Sequence, residues 1–191
     1  MWGKKPLSDE PATDLLFVCT GNICRSTYGA LWMRHAAGDR LTVASAGTGA
    51  VVGAPAHEEI ASMMSARGVP TDHVARQLTR PILQSTSLVI GMTREHRSAA
   101  VSMFPGVLKR SVTLLEVAQL APHVDTSALP TDPRERVRAL GPAIMAARGK
   151  VVSGEGFDIA DPYGRDHQAF VDMGAVMDEA LPALYDLIFP A

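Results

Sequence analysis

The continuous apolar run Leu15-Leu16-Phe17-Val18 limits this chain more than any other feature, because a strand without polar alternation must be covered on both faces. Thr42-Val43-Ala44 and Leu88-Val89-Ile90 repeat that signature, and Val112 with its flanks supplies a fourth candidate strand. Helical patterns lie between these runs. Ile60, Met63 and Met64 share one face of a helix that Gly68 terminates, and Thr93 caps a helix running toward Phe104-Pro105, where proline ends it. Phe170, Met173, Met177, Leu181, Leu184 and Ile188 recur at spacings of three and four, which predicts a long amphipathic helix kinked at Pro182. Strands alternating with helices specify an α/β domain with a parallel sheet and right-handed crossovers. Ligands of such folds bind beyond the carboxyl ends of the strands.

The 191 residues match one domain, and a chain 47% apolar and 20% charged buries enough surface to exclude wholesale disorder. Eighteen Lys/Arg against twenty Asp/Glu give a formal charge of −2. With these charges interspersed there is no electrostatic basis for nucleic acid or an anionic membrane as partner. No run approaches the roughly eighteen apolar residues of a membrane span, and MWGKKPLSDEPATD lacks the apolar stretch of a secretory signal. The expectation is a soluble, cytoplasmic protein. Residues 1–13 read as a flexible polar tail in which Trp2 is incidental, and 14–191 as one domain. Residues 121–156 fit the alternation less well: a Pro/Ser/Thr-rich link precedes Asp132-Pro133-Arg134-Glu135, a strong helix start, and the helix ends near Gly149. That stretch reads as a helical insert on the surface.

Cysteine usage points to the chemistry. The chain has two cysteines, Cys19 and Cys24, inside one short segment, and its histidines (35, 57, 73, 96, 123 and 167) form no metal-ligand spacing with them. A catalytic or redox thiol is the reading left. In LLFVCTGNICRSTYGALW a buried strand ends at Val18, the loop Cys19–Arg25 follows, and helical residues begin near Arg25-Ser26. Gly21 and Asn22, which tolerate left-handed backbone, allow successive N–H groups to converge on one tetrahedral oxyanion. The helix start adds its positive end, and the planar fork of Arg25 grips two anion oxygens. The same groups favour Cys19 as a thiolate nucleophile. Ser26 either donates to that sulfur or caps the helix, and both readings stay open. Cys24 either closes a protective disulfide with Cys19 on oxidation or fills space behind the loop. Attack on a phosphomonoester also needs an acid for the leaving oxygen. Asp161, in Asp158-Ile-Ala-Asp161-Pro162-Tyr163, is a candidate with Tyr163 as a pocket wall, although a plain turn aspartate suits the same residues and Asp158, Asp166 and Asp172 compete.

VCTGNICRS resembles the phosphate loop of the low-molecular-weight protein tyrosine phosphatases, and Asp161-Pro162-Tyr163 resembles their general-acid motif. Ser45-Ala46-Gly47-Thr48, Asp72-His73-Val-Ala-Arg76-Gln77 and Met92-Thr93-Arg94-Glu95-His96 are similar to bacterial members, so the likeness spans most of the chain except the tail and the insert. The resemblance implies a four-stranded parallel sheet flanked by helices on both faces, no metal and no cofactor. It implies that Cys19 takes the phosphoryl group while Asp161 protonates the alcohol, that Asp161 then activates water, and that Arg25 holds the charge throughout. Thr20, Gly21, Asn22, Ile23, Cys24, Ser26, Val51 and Tyr163 would line the substrate pocket, and Asn22, Ser26, Ser45 and His73 would support the loop. The substrate would be a phosphotyrosine-containing protein and the enzyme a monomer. Three departures bear on specificity: Ala50-Val51-Val52 stands where many members carry an aromatic residue, Gly164 follows Tyr163 where a second aromatic is common, and Thr27 replaces a proline. Protein arginine phosphatases share the loop but carry threonine where this chain has Ile23. Arsenate reductases that resolve arsenic internally need cysteines beyond Cys24, whereas a reductase that borrows a small-molecule thiol stays an alternative, and a silent phosphate-binding module would not need Cys19, Arg25 and Asp161 together.

Overall fold

The four apolar runs become four strands of one sheet in the computed structural model, which describes residues 10–150 and 156–190. Strands β1 (Thr13–Cys19), β2 (Val43–Gly47), β3 (Thr86–Gly91) and β4 (Ser111–Thr113) are parallel and lie in the order β2-β1-β3-β4. Central β1 is buried along its whole length, which is why its sequence shows no alternation. Each large apolar side chain in it contributes about 1.5–3 kcal/mol relative to exposure. Leu15, Phe17, Leu88 and Ile90 pack on the side of helices α1 (Arg25–Ala37), α5 (Leu114–Leu120), α6 (Pro133–Ala147) and α7 (His167–Ile188). Leu16, Val18 and Val89 pack on the opposite side, with Ile82 and Leu83 of α3 (Arg80–Ser85) and Ala100 of α4 (Arg94–Met103). The register pairs Cys19 with Gly47 and Val18 with Gly91, so three strands end at one level around Cys19.

The helix ends follow local chemistry. Helix α2 (Glu58–Ser65) is followed by Gly68 in the left-handed region at φ +71°, and the Val69 N–H returns to the Met64 carbonyl at 3.0 Å. Thr93 accepts from the His96 amide and starts α4. Helix α5 is absent from the periodicity reading. Its signal is the capping box Thr113-x-x-Glu116, in which each side chain bonds the other's backbone amide. Helix α7 runs unbroken from His167 to Ile188 through Pro182. Among the described residues no helix is long and apolar enough to cross a membrane.

Two expectations are corrected. Of the segment expected to be a tail, residues 1–9, including Trp2, lie outside the described residues, while Thr13 is buried as the first residue of β1. The helix expected on the surface, α6, is a core element: Val137, Leu140 and Ile144, spaced by three and four, are fully buried in the main core. Gly141 permits this placement, since a Cβ there would lie 2.6 Å from the Lys109 carbonyl oxygen. Buried Arg136 on the same helix donates to the Leu187 carbonyl at 2.6 Å and the Pro130 carbonyl at 3.0 Å, tying α6 to the end of α7.

Candidate active site

The loop between β1 and α1 is built to turn its amides inward. Each carbonyl from Cys19 to Cys24 accepts a hydrogen bond from outside the loop: from the N–H groups of Thr48, Gly49 and Val51, from His73 Nε2, and from the N–H groups of His57 and Tyr28, at 2.7–3.1 Å. The C=O and N–H of a trans peptide point in opposite directions, so carbonyls held outward leave the N–H groups facing the centre. Asn22 makes the turn at φ +56° as the one non-glycine residue with positive φ among the described residues. The neighbouring strand must come close: a Cβ on Gly47 would lie 2.3 Å from the Thr20 carbonyl oxygen.

Cys19 Sγ, 2% exposed, takes the Asn22 amide at 3.3 Å and lies 2.9 Å from Ser26 Oγ. Asn22 Nδ2 donates to Ser26 Oγ at 3.0 Å, which holds the Ser26 hydroxyl against the sulfur, where it can donate only to an ionised Cys19 or accept from a protonated one. Ser26 lies against the sulfur and does not cap α1, which has no side-chain cap. Asn22 is completed by the Arg76 amide on its Oδ1 at 2.9 Å. His73 Nε2, donating to the Asn22 carbonyl, also sits 3.2 Å from Thr27 Oγ1. Burial pushes the His73 pKa down, which keeps the ring neutral. Ser45 does not join this network: its buried Oγ has no partner, and only its carbonyl acts, accepting from Arg76 Nε at 3.0 Å.

Asp161 arrives from 136 residues away. Its Oδ2 meets Arg25 Nη2 at 2.5 Å, and Arg25 Nη1 donates to the Ile159 carbonyl at 3.1 Å. Arg25 Nε is buried without a partner. Ile159 donates to the Met92 carbonyl beyond β3 at 2.9 Å, and Asp158 receives the Arg94 amide at 2.6 Å. The competing carboxylates are occupied elsewhere: Asp158 pairs with Arg94, Asp166 caps α7, and Asp172 accepts from Gln168. A cavity of about 190 Å³ is lined by Cys19, Thr20, Gly21, Ile23, Cys24, Arg25, Gly49, Val51, Asp161 and Tyr163. Asn22 and Ser26, also expected to line it, lie fully buried behind the sulfur. A larger cleft of about 480 Å³ shares Asp161 but runs away along α7 and lacks Cys19 and Arg25.

Several contributors escaped the sequence reading. Arg76 and Thr27 brace Asn22 and His73. His57 stacks on Phe170 at 4.6 Å between ring centroids and meets Tyr163 edge-on at 6.2 Å, linking α2 to the acid segment. Buried His96 reaches Thr20. Cys24 is buried and its thiol is pushed up to about 12, by desolvation first and then by Cys19 and Asp161, so it stays protonated at neutral pH.

The profile of the low molecular weight phosphotyrosine protein phosphatases matches residues 14–129. The chain belongs to that family. A phosphatase relative, the low molecular weight protein-tyrosine phosphatase A of Mycobacterium tuberculosis, is 34% identical over 178 residues, covering 90% of this chain and 89% of that protein. The protein-arginine-phosphatase of Bacillus subtilis is 31% identical over 106 residues, which is 54% of this chain and 71% of that one. The crystal structure of the Erwinia amylovora tyrosine phosphatase AmsI shares the fold of this phosphatase at a TM-score of 0.66 and 24% identity, covering 94% of this chain and 95% of that one.

Proposed function

We propose that this phosphatase hydrolyses phosphotyrosine in proteins through a cysteinyl-phosphate, acting as a cytoplasmic monomer. The observation that carries the reading is the meeting of Cys19, Arg25 and Asp161 in one pocket with an apolar rim. Substrate phosphate, a dianion, takes the Arg25 guanidinium in bidentate fashion and so releases Asp161 from it. Asp161, freed from the guanidinium, takes up a proton from solvent; Cys19 Sγ then attacks phosphorus as the thiolate, an S–P bond forms, and the P–O bond to the aryl group breaks while Asp161 delivers that proton to the departing oxygen. Asp161, now a carboxylate, takes a proton from water; the water oxygen attacks phosphorus and the sulfur leaves as thiolate. The loop amides and Arg25 hold the phosphoryl oxygens through both steps.

Ile23, Val51 and Tyr163 favour an aryl ring as the leaving group. Val51 and Tyr163 are 48% and 61% exposed, so the rim is open and the ring is gripped on few sides. Lacking an aromatic residue at 50–52 forfeits about a kcal/mol of stacking, or roughly fivefold in affinity. The test is a side-by-side turnover assay on aryl phosphate, a phosphoarginine peptide, and arsenate with a small thiol. Aryl phosphate is expected to dominate, and Cys19→Ser to lower kcat by about 10⁴-fold or more. Faster turnover of phosphoarginine would move the chain to the arginine-specific branch, and equal rates for wild type and Cys19→Ser would refute the mechanism.

A further inference from the structure

His96 is buried, 5% exposed, yet uses both ring nitrogens at the edge of the active site. Nδ1 lies 2.8 Å from Thr93 Oγ1 and Nε2 lies 2.9 Å from Thr20 Oγ1, a residue of the phosphate loop that lines the pocket beside Cys19 and Arg25. Thr93 Oγ1 accepts the His96 backbone N–H as the cap of α4, at 3.3 Å, and its own hydrogen is available to Nδ1. In the tautomer that accepts it, the neutral imidazole carries its single proton on Nε2 and donates it to Thr20 Oγ1. The ring is held neutral by burial and by the Arg25 guanidinium, which bring its pKa down to about 4. With a lone pair of Thr20 Oγ1 taken, the Thr20 hydroxyl hydrogen is left pointing away from His96.

We propose that His96 is a positioning residue of the phosphatase reaction: through Nε2 it orients the Thr20 hydroxyl as a donor to the phosphoryl group in transit between substrate and Cys19. The assignment rests on the hydrolytic reading above. It explains why a histidine is spent at this position on two hydroxyls, since an apolar residue would fill the space and leave the Thr20 hydroxyl free to rotate. It also places a donor beside the loop amides, whose carbonyls are all held by other elements.

The test compares Thr20→Val, which keeps the shape and removes the hydroxyl, with Thr20→Ser, His96→Leu and His96→Gln, the last keeping a donor near the Nε2 position. On aryl phosphate, Thr20→Val and His96→Leu are each expected to lower kcat about tenfold with KM little changed. Inhibition by vanadate, which becomes trigonal bipyramidal on binding a thiolate and so mimics the transferring group, should weaken by the same factor. The double variant Thr20→Val/His96→Leu should be no worse than either single one, because the two residues act as a unit. Thr20→Ser and His96→Gln should recover most of the loss. If the single effects multiply in the double variant, or Thr20→Val keeps the wild-type kcat and vanadate affinity while His96→Leu loses both, the assignment is overturned and His96 acts only on packing. Absence of turnover in the wild type would instead refute the hydrolytic reading itself, so the two failures are distinguishable.

Discussion

The two halves of the active site are held in opposite ways. The nucleophile loop is buried except at Thr20 and Gly21 and short in sequence, and its carbonyls are fixed by β2's following loop, by His73, by His57 and by α1. The acid segment 158–163 has a half-exposed carboxylate and depends on the hydrogen bond from the Ile159 N–H to the Met92 carbonyl, the Arg94–Asp158 pair and Arg25 itself. The difference matches the work that the proposed mechanism requires. A thiol that must stay in place while charge develops on phosphorus needs pre-set dipoles, because reorganising them during the reaction would raise the barrier. An acid that first donates and then accepts a proton, and must leave Arg25 when phosphate arrives, needs a looser tether.

The largest effect that separates the halves is expected from Asp161→Asn. The variant loses the proton donor and also frees Arg25 from its carboxylate partner. kcat should fall by about 10²–10³-fold for aryl phosphates with poor leaving groups and far less for activated ones, consistent with loss of general acid catalysis. Phosphate and vanadate affinity should be retained or tightened. A loss independent of the leaving group, together with weakened vanadate binding, would mean that Asp161 serves the rigid half.

Asn22→Ala attacks the other half. It removes bonds to Ser26 and Arg76 and puts alanine where φ is +56°. Breaking two buried hydrogen bonds and straining the backbone should cost about 2–4 kcal/mol of stability. Denaturant unfolding reads that cost directly, and a loss under 1 kcal/mol would show that the loop is held by its carbonyl contacts alone.

A comparable but pH-dependent effect comes from His96. Its folded pKa, about 4, lies below the ordinary value of 6.5, so the unfolded chain binds the proton more readily between those limits. The stabilisation from keeping the ring neutral is complete above about pH 6.5 and is lost as pH falls toward 4, to the extent of about 3 kcal/mol. The stability difference between wild type and the non-titrating His96→Gln should therefore shrink or reverse between pH 7 and pH 4. A difference that does not change with pH would show that the ring is not held neutral by its surroundings.

How far these halves were legible from the residues follows from contact range. The strand ending at Cys19, the left-handed Asn22 and the helix at Arg25 are local, and nine consecutive residues, VCTGNICRS, define them. The sheet was legible because β1 and β3 are buried on both faces and carry unbroken apolar runs. What failed depends on distant partners. Whether Val137, Leu140 and Ile144 face solvent or core is decided by how near Gly141 lets α6 approach Lys109. Arg76 reaches Asn22 from 54 positions away and His96 reaches Thr20 from 76, and no periodicity records such pairs. Ser45 shows the reverse: a position that matches a motif, with an Oγ that bonds nothing.

The smallest expected effect tests how little holds the acid segment. Arg94 and Asp158 pair at the surface, with side chains 62% and 40% exposed, and exposed pairs are worth about 0–1 kcal/mol. Arg94→Gln removes the guanidinium contacts at 2.8 and 3.1 Å but keeps the backbone amide that donates to Asp158 at 2.6 Å. Its kcat/KM should therefore drop by no more than about threefold at low salt, and the gap from wild type should close as salt screens the pair. Asp158→Ala, which removes the amide's acceptor as well, should do more harm than Arg94→Gln. Equal losses in both variants, insensitive to salt, would place the hold on the acid segment in the charge pair and not in the backbone, and the segment would then be tethered more tightly than its exposure implies.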